Sequence, residues 1–138
     1  MNGAALNILL VEDDEVDVMN VQRAFGRNHI MNPLYVARNG VEALAMLRAG
    51  EIPRDRRMVL LDLNMPRMNG IEFLQEVRRD PELRATTVVV LTTSSNERDK
   101  MEAYNLNVAG YLVKPVTFGE FAELMVTLNK YWSLVEMP

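Results

Sequence analysis

Five short apolar runs recur along the chain, and each is followed by a segment with helical periodicity. The runs are "NILLV" (7–11), "LYVAR" (34–38), "MVLLD" (58–62), "TTVVVLT" (86–92) and "AGYLV" (109–113). They are too short for buried helices, and the fourth is rich in β-branched residues, so they read as strands. Between them, residues 14 to 28 place Val18, Val21 and Phe25 on one helical face. Asn39 with Glu42 is a helix start, and Val41, Leu44 and Leu47 supply that helix with an apolar face. The third helix begins near Asn69 and turns Ile71, Leu74 and Val77 inward. Residues 95 to 106 form the fourth. Thr117 with Glu120 opens the last, which buries Phe121, Leu124, Met125 and Leu128.

Strand–helix alternation of this kind requires parallel strands joined by right-handed crossovers, with helices on both faces. Strands one, three and four are nearly continuous in apolar character and belong inside the sheet. Strand two carries Tyr35, Ala37 and Arg38 and suits an edge. The expected fold is α/β, a doubly wound five-stranded parallel sheet of order 2-1-3-4-5, flavodoxin-like (βα)5. One domain over 1–138 is expected, with a core at about 6–132 and a short tail at 133–138.

The length of 138 residues fits one ordinary domain, and 49% apolar against 25% charged residues gives both a core and a soluble surface. A net charge of -4 argues against a nucleic acid partner, which needs a basic face. Without cysteine there is neither a disulfide nor a thiolate metal site. No apolar run approaches the ~20 residues that span a bilayer. The opening "MNGAALN" lacks the pattern of a signal peptide. A soluble cytoplasmic protein, with no membrane partner, is the expectation.

The stretch "MVLLDLNMPRMNG" carries a buried strand straight into Asp62 and then breaks it at Pro66 and Asn69-Gly70. The same rim of the sheet receives the other strand ends. Strand one ends in "VEDDE", with Glu12, Asp13 and Asp14; strand four ends in Thr92; strand five ends in Lys114-Pro115. Neighbouring strands lie about 4.8 Å apart, so three carboxylates crowd together. Such charges raise one another's pKa unless something offsets them. Lys114 supplies one positive charge, and a Mg²⁺ ion on carboxylate and carbonyl oxygens would supply two more. A carboxylate nucleophile, a cation, an ammonium and a hydroxyl are the parts needed to move a phosphoryl group. Taken singly, each residue has an ordinary explanation as a cap, a turn or a solvated side chain. Four strand ends agreeing on one rim do not.

These residues resemble the receiver domain of two-component response regulators. The resemblance rests on Glu12-Asp13 in "LLVEDD", Asp62 in "LLDLNMPRMNG", Thr92 in "VVVLTTS", Tyr111 in "GYLVKP" and Lys114-Pro115, and spans about residues 6 to 132. The stretch "RRDPELRATTVVVLTTSSNERD" and the ending "KYW" are most similar to single-domain regulators associated with bacterial phytochrome histidine kinases. The resemblance implies that Asp62 accepts the phosphoryl group. It implies Mg²⁺ ligation by Asp13, Asp62 and the backbone carbonyl of Asn64, with Glu12 acting through a water. Lys114 and Thr92 would bind the phosphoryl oxygens. Thr92 and Tyr111 would form the switch, Pro115 would follow a cis peptide bond, and Asn64 and Ser94 would tune phosphoryl lifetime. Asp14 reads as a first-turn helix residue rather than a ligand.

Phosphorylation of Asp62 is expected to draw in Thr92, with Tyr111 following and the loop "TTSSNERD" as the bistable element. Because the fold uses nearly the whole chain, output falls to protein contacts. The expected surface is helix four, strand five and helix five, carrying Val108, Phe118 and the tail "YWSLVEMP". That surface is a candidate homodimer contact; alternatively Trp132, Leu134 and Val135 fold back over the core edge. The sole histidine, His29, sits in a polar connection, so the donor histidine is expected on another protein, a sensor histidine kinase, which the resemblance implies is of phytochrome type. Three rivals remain. An Asp-nucleophile phosphatase needs a second carboxylate where Asn64 stands, so turnover of outside substrates is not expected. A nucleotide carrier needs a phosphate loop where "EDDE" stands. A receiver-like interaction module without phosphorylation would have no use for the intact site positions.

Overall fold

The computed structural model describes residues 6–65 and 67–136. Pro66, and Met137 and Pro138 of the tail, lie outside the described residues, as does most of the "MNGAALN" start. Strands β1 (Asn7–Val11), β2 (Leu34–Ala37), β3 (Arg57–Leu61), β4 (Thr87–Thr92) and β5 (Gly110–Val113) alternate with five helices. These are α1 (Glu15–Arg27), α2 (Gly40–Arg48), α3 (Gly70–Arg79), α4 (Glu97–Asn105) and α5 (Phe118–Leu134). The strands form one sheet of order β2-β1-β3-β4-β5, with every neighbouring pair parallel. Hydrophobic pattern and observed topology agree because the central strands must be apolar on both faces. All residues of β1 and β3 are buried, whereas the edge strands β2 and β5 are mostly half-buried.

Alternation along the strands sends side chains to two cores. Leu9, Val11, Val59 and Leu61 meet Leu44, Leu47, Phe73, Leu74 and Val77 from α2 and α3. Ile8, Leu10, Met58 and Leu60 meet Val18, Val21, Phe25, Phe121, Met125 and Trp132 from α1 and α5. Each aliphatic side chain so buried contributes about 1.5–3 kcal/mol.

Three details depart from the sequence pattern. Val41 faces solvent, and Ala43 takes its place on the buried face of α2. The start at Asn39 sets that phase, since its side chain accepts the Glu42 N–H and Gly40 opens the helix. Val108 is buried rather than displayed on the output face. Asn107, at φ 60°, follows the end of α4 and turns the chain inward there. Finally, α5 continues to Leu134, so Ser133 and Leu134 are helix and not tail. Trp132 is buried and Val135 packs against it, while Leu134 is exposed. Arg56 fastens this end by donating to the Trp132 and Val135 carbonyls at 3.0 and 3.3 Å.

Candidate functional site

The carboxyl ends of β1, β3, β4 and β5 carry the site, and the sheet ladder extends just past the strands to hold them. The Asp62 N–H donates to Val11 O (3.0 Å), the Glu12 N–H to Ala37 O (2.9 Å) and the Lys114 N–H to Thr92 O (2.8 Å). Asp62 therefore leaves the sheet level with its neighbours. Leu61 pairs with Val90, which puts Thr92 one residue beyond the level of Asp62 on the adjacent strand. The Asn69-Gly70 break has a steric reason. A Cβ at residue 70 would lie 2.7 Å from both the Asp62 carbonyl oxygen and the Leu63 Cα. Only glycine lets α3 start that close to the loop carrying Asp62. Asn69 completes the start with a reciprocal capping box to Glu72.

Glu12, Asp13 and Asp62 each offer a carboxylate oxygen, and these oxygens all lie within 4.8 Å of one another. Glu12 and Asp62 are buried, while Asp13 is exposed. Burial pushes the Glu12 carboxyl up to about 7, the Asp62 charge adds to this, and the Lys114 bond only partly opposes it. Asp14 turns away as the N-cap of α1, accepting the N–H groups of Val16 and Asp17 at 2.8 and 3.2 Å. The cluster is hard, anionic and partly open, and its donor set fits a hard divalent cation such as Mg²⁺. Asn64 lies exposed two residues after Asp62 and donates its N–H to Asp62 Oδ1 at 3.4 Å.

Lys114 reaches into this cluster, but Asp62 is not its nearest partner. Its Nζ donates to Glu12 Oε1 at 2.6 Å and to Asp17 Oδ2 at 2.7 Å, and stands 3.9 Å from Asp62 Oδ2. Burial works to lower the pKa of this ammonium. The bonds to Asp17 and Glu12 and the surrounding negative charge outweigh it and raise the pKa above the ordinary lysine value. The strand-end pattern does not reveal Asp17, which belongs to the first turn of α1. The available signal is nearness in the chain, since α1 begins shortly after the end of β1 and Asp17 lies in its first turn.

Thr92 is fully buried, and its Oγ1 accepts the Ser94 N–H at 3.4 Å. Ser94 then links three elements. Its carbonyl accepts the Tyr111 hydroxyl (2.9 Å), and its own hydroxyl donates to Asp99 Oδ2 (2.7 Å) and accepts the Asn96 N–H (3.3 Å). Tyr111 is half-buried, and burial pushes its phenol pKa up. Thr92, Ser94 and Tyr111 are thus brought together, and Ser94 has a structural role at the start of α4. His29 is exposed in the connection after α1.

The Pro115 expectation is corrected: there is no cis peptide bond among the described residues, so Lys114–Pro115 is trans. The trans form is favoured by about 0.5–1 kcal/mol at X–Pro bonds, and only a tight turn would reverse that preference. Here the chain runs outward through fully exposed Val116 before the Thr117 cap.

Comparison with known proteins finds the family model described as "Response regulator receiver domain" matching residues 8–126. The response regulator Rcp1 of Synechocystis sp. is 38% identical over 128 residues, covering 91% of this chain and 87% of Rcp1. Its Mn²⁺-bound structure superposes with a TM-score of 0.83 at 36% identity, covering 96% of this chain and 99% of that one. The phosphorylated cyanobacterial phytochrome response regulator RcpA gives a TM-score of 0.86 at 34% identity, covering 98% of this chain and 99% of that one. The probable methanogenesis regulatory protein FilR2 of Methanothrix harundinacea is 40% identical over 130 residues, covering 91% of this chain and 82% of FilR2.

Proposed function

The chain belongs to the response regulator receiver domain family, and from that premise we propose that it works as a single-domain response regulator taking a phosphoryl group onto Asp62. The observation that carries this reading is the placement of Asp62. It ends the central strand beside two carboxylates, with the Lys114 ammonium 3.9 Å away and Thr92 on the next strand.

In the transfer, an Asp62 carboxylate oxygen forms the new bond to phosphorus as the bond to the imidazole nitrogen of a kinase phosphohistidine breaks, and the electron pair leaves with the imidazole. Asp13 and Asp62, the Asn64 carbonyl, and Glu12 through a water would hold Mg²⁺. Bound there, the ion supplies positive charge to the phosphoryl oxygens. Lys114 contributes a second cation to those oxygens, and the Thr92 hydroxyl donates to one of them. Turnover is confined to the protein's own Asp62, because Asn64 stands where a phosphatase of outside substrates would carry an acid/base carboxylate.

The likeness to the phytochrome response regulator RcpA supports a phytochrome-type histidine kinase as donor. No described helix is long and apolar enough to cross a membrane. Output through a homodimer built on α4, β5 and α5 is supported by the exposed side chains of Met101, Tyr104, Val113, Tyr131 and Leu134. Light scattering with and without phosphorylation tests the dimer; a monomeric mass in both states removes it. The test of the main reading is intact mass after incubation with acetyl phosphate and Mg²⁺. One phosphate is expected on the native chain, none after chelation and none on Asp62→Asn. An unmodified native chain would overturn it.

A further inference from the structure

Resting on that reading, we infer that Asp17 is a positioning residue that holds Lys114 back from Asp62 and so restrains phosphoryl uptake. An ammonium has three donors, and here two are already engaged by carboxylates. Asp17 takes Nζ at 2.7 Å, while Asp62 is 3.9 Å away, beyond hydrogen-bond length. The two carboxylates holding Lys114 are not equivalent. Glu12 belongs to the cluster that can hold a cation, so its bond to Lys114 is open to competition there. Asp17 lies outside that cluster, so a cation bound there does not compete for its bond to Lys114.

The surroundings make Asp17 a releasable tether. Its backbone is fixed, because its N–H is held by Asp14 Oδ1 at 3.2 Å and the next residue, Val18, is buried in the core. Its side chain is 32% exposed, against 8% for Lys114. A cleft of about 100 Å³ lined by Asp17, Asn20, Lys114, Val116, Thr117 and Phe118 leaves room for the two groups to part. Phosphoryl oxygens arriving on Asp62 must therefore draw Lys114 away from Asp17. Losing one partly exposed charged hydrogen bond slows that step by a factor on the order of five.

The experiment has two readouts. In metal-free protein, acylation of Lys114 by an N-hydroxysuccinimide ester is followed by peptide mass spectrometry, with Lys100 and Lys130 as internal references. Asp17→Asn should raise Lys114 labelling about five-fold, and Asp17→Glu should restore the native rate. At saturating Mg²⁺, single-turnover phosphorylation by acetyl phosphate should speed up by a similar factor in Asp17→Asn, with the half-saturating acetyl phosphate concentration matching that of Glu15→Gln. Glu15→Gln removes an equal charge from the same turn without touching Lys114 and should keep the native maximal rate. Asp17→Ser provides a second uncharged variant if the Asn variant melts early. If Lys114 labelling is unchanged, or if both uncharged variants are phosphorylated at or below the native rate, Asp17 is only an anchor and the inference is overturned. If the native chain takes no phosphate, the proposed function fails first and this inference falls with it.

Discussion

Helices α3 and α4 leave adjacent strands of one sheet, have ten and nine residues, and are held in opposite ways. Helix α3 buries Phe73, Leu74 and Val77 and starts with a full capping box pressed against the Asp62 loop. Helix α4 buries Ala103 alone. Its start depends on Asn96, on the Ser94–Asp99 bond and on the Tyr111–Ser94 bond, and its end depends on α3. Arg78 of α3 donates to the carbonyls of Leu106 (2.7 Å) and Asn107 (3.1 Å), just past α4. A helix fixed by core packing holds the Asp62 loop rigidly. A helix fixed by a few polar contacts at its ends can change position when one of them changes.

The largest test of this contrast is Phe73→Ala, which should cost about 3–5 kcal/mol in urea unfolding, as deletion of a fully buried aromatic does. Ala103→Gly, the matching perturbation of α4, should cost about 1 kcal/mol. Equal losses would break the contrast. Arg78→Ala should cost about 1–3 kcal/mol, because it strips partners from four carbonyls at once. Its native-state hydrogen exchange should quicken at the end of α4 and leave the interior of α3 protected. Tyr111→Phe removes one hydrogen bond and should cost about 1 kcal/mol, with faster exchange confined to residues 95 to 101.

The smallest effect concerns the end of α3. The Asp80 carboxylate is held below the usual aspartate range, first by the Glu82 N–H and then by Arg48. Its folded pKa is depressed, so its contribution is present above the unfolded pKa and is lost as pH falls through the folded one. Asp80→Asn should flatten that part of the acid limb in a titration of unfolding stability. An unchanged limb would remove Asp80 from the account.

Strand order and the acidic rim were legible in the sequence because both follow from patterning. Fully apolar strands must be central, and residues at parallel strand ends must meet. The close start of α3 is signalled by Asn69-Gly70, although the reason, a Cβ that would press against the Asp62 carbonyl, arises only in the folded chain. Side-chain choice among competing partners was not legible. Strand ends bring Lys114 to Asp62, yet the ammonium lies nearer Glu12 and Asp17, because Asp17 comes from a helix turn whose rotation no strand pattern records. The trans bond before Pro115 depends on how the chain leaves β5. Val41 and Val108 were misplaced because a helix phase set by its cap, and a turn with positive φ, override hydrophobic spacing.

Under the proposed function, phosphorylation of Asp62 is read out by α4 while α3 stays fixed. Hydrogen exchange of the native chain and Thr92→Ala, each with Mg²⁺ and with or without acetyl phosphate, tests it most directly. The native chain should change its exchange across residues 94 to 101 on phosphorylation and keep α3 unaltered. Thr92→Ala should take up phosphate with no such change. Equal responses in α3 and α4, or an undiminished α4 response in Thr92→Ala, would contradict the account.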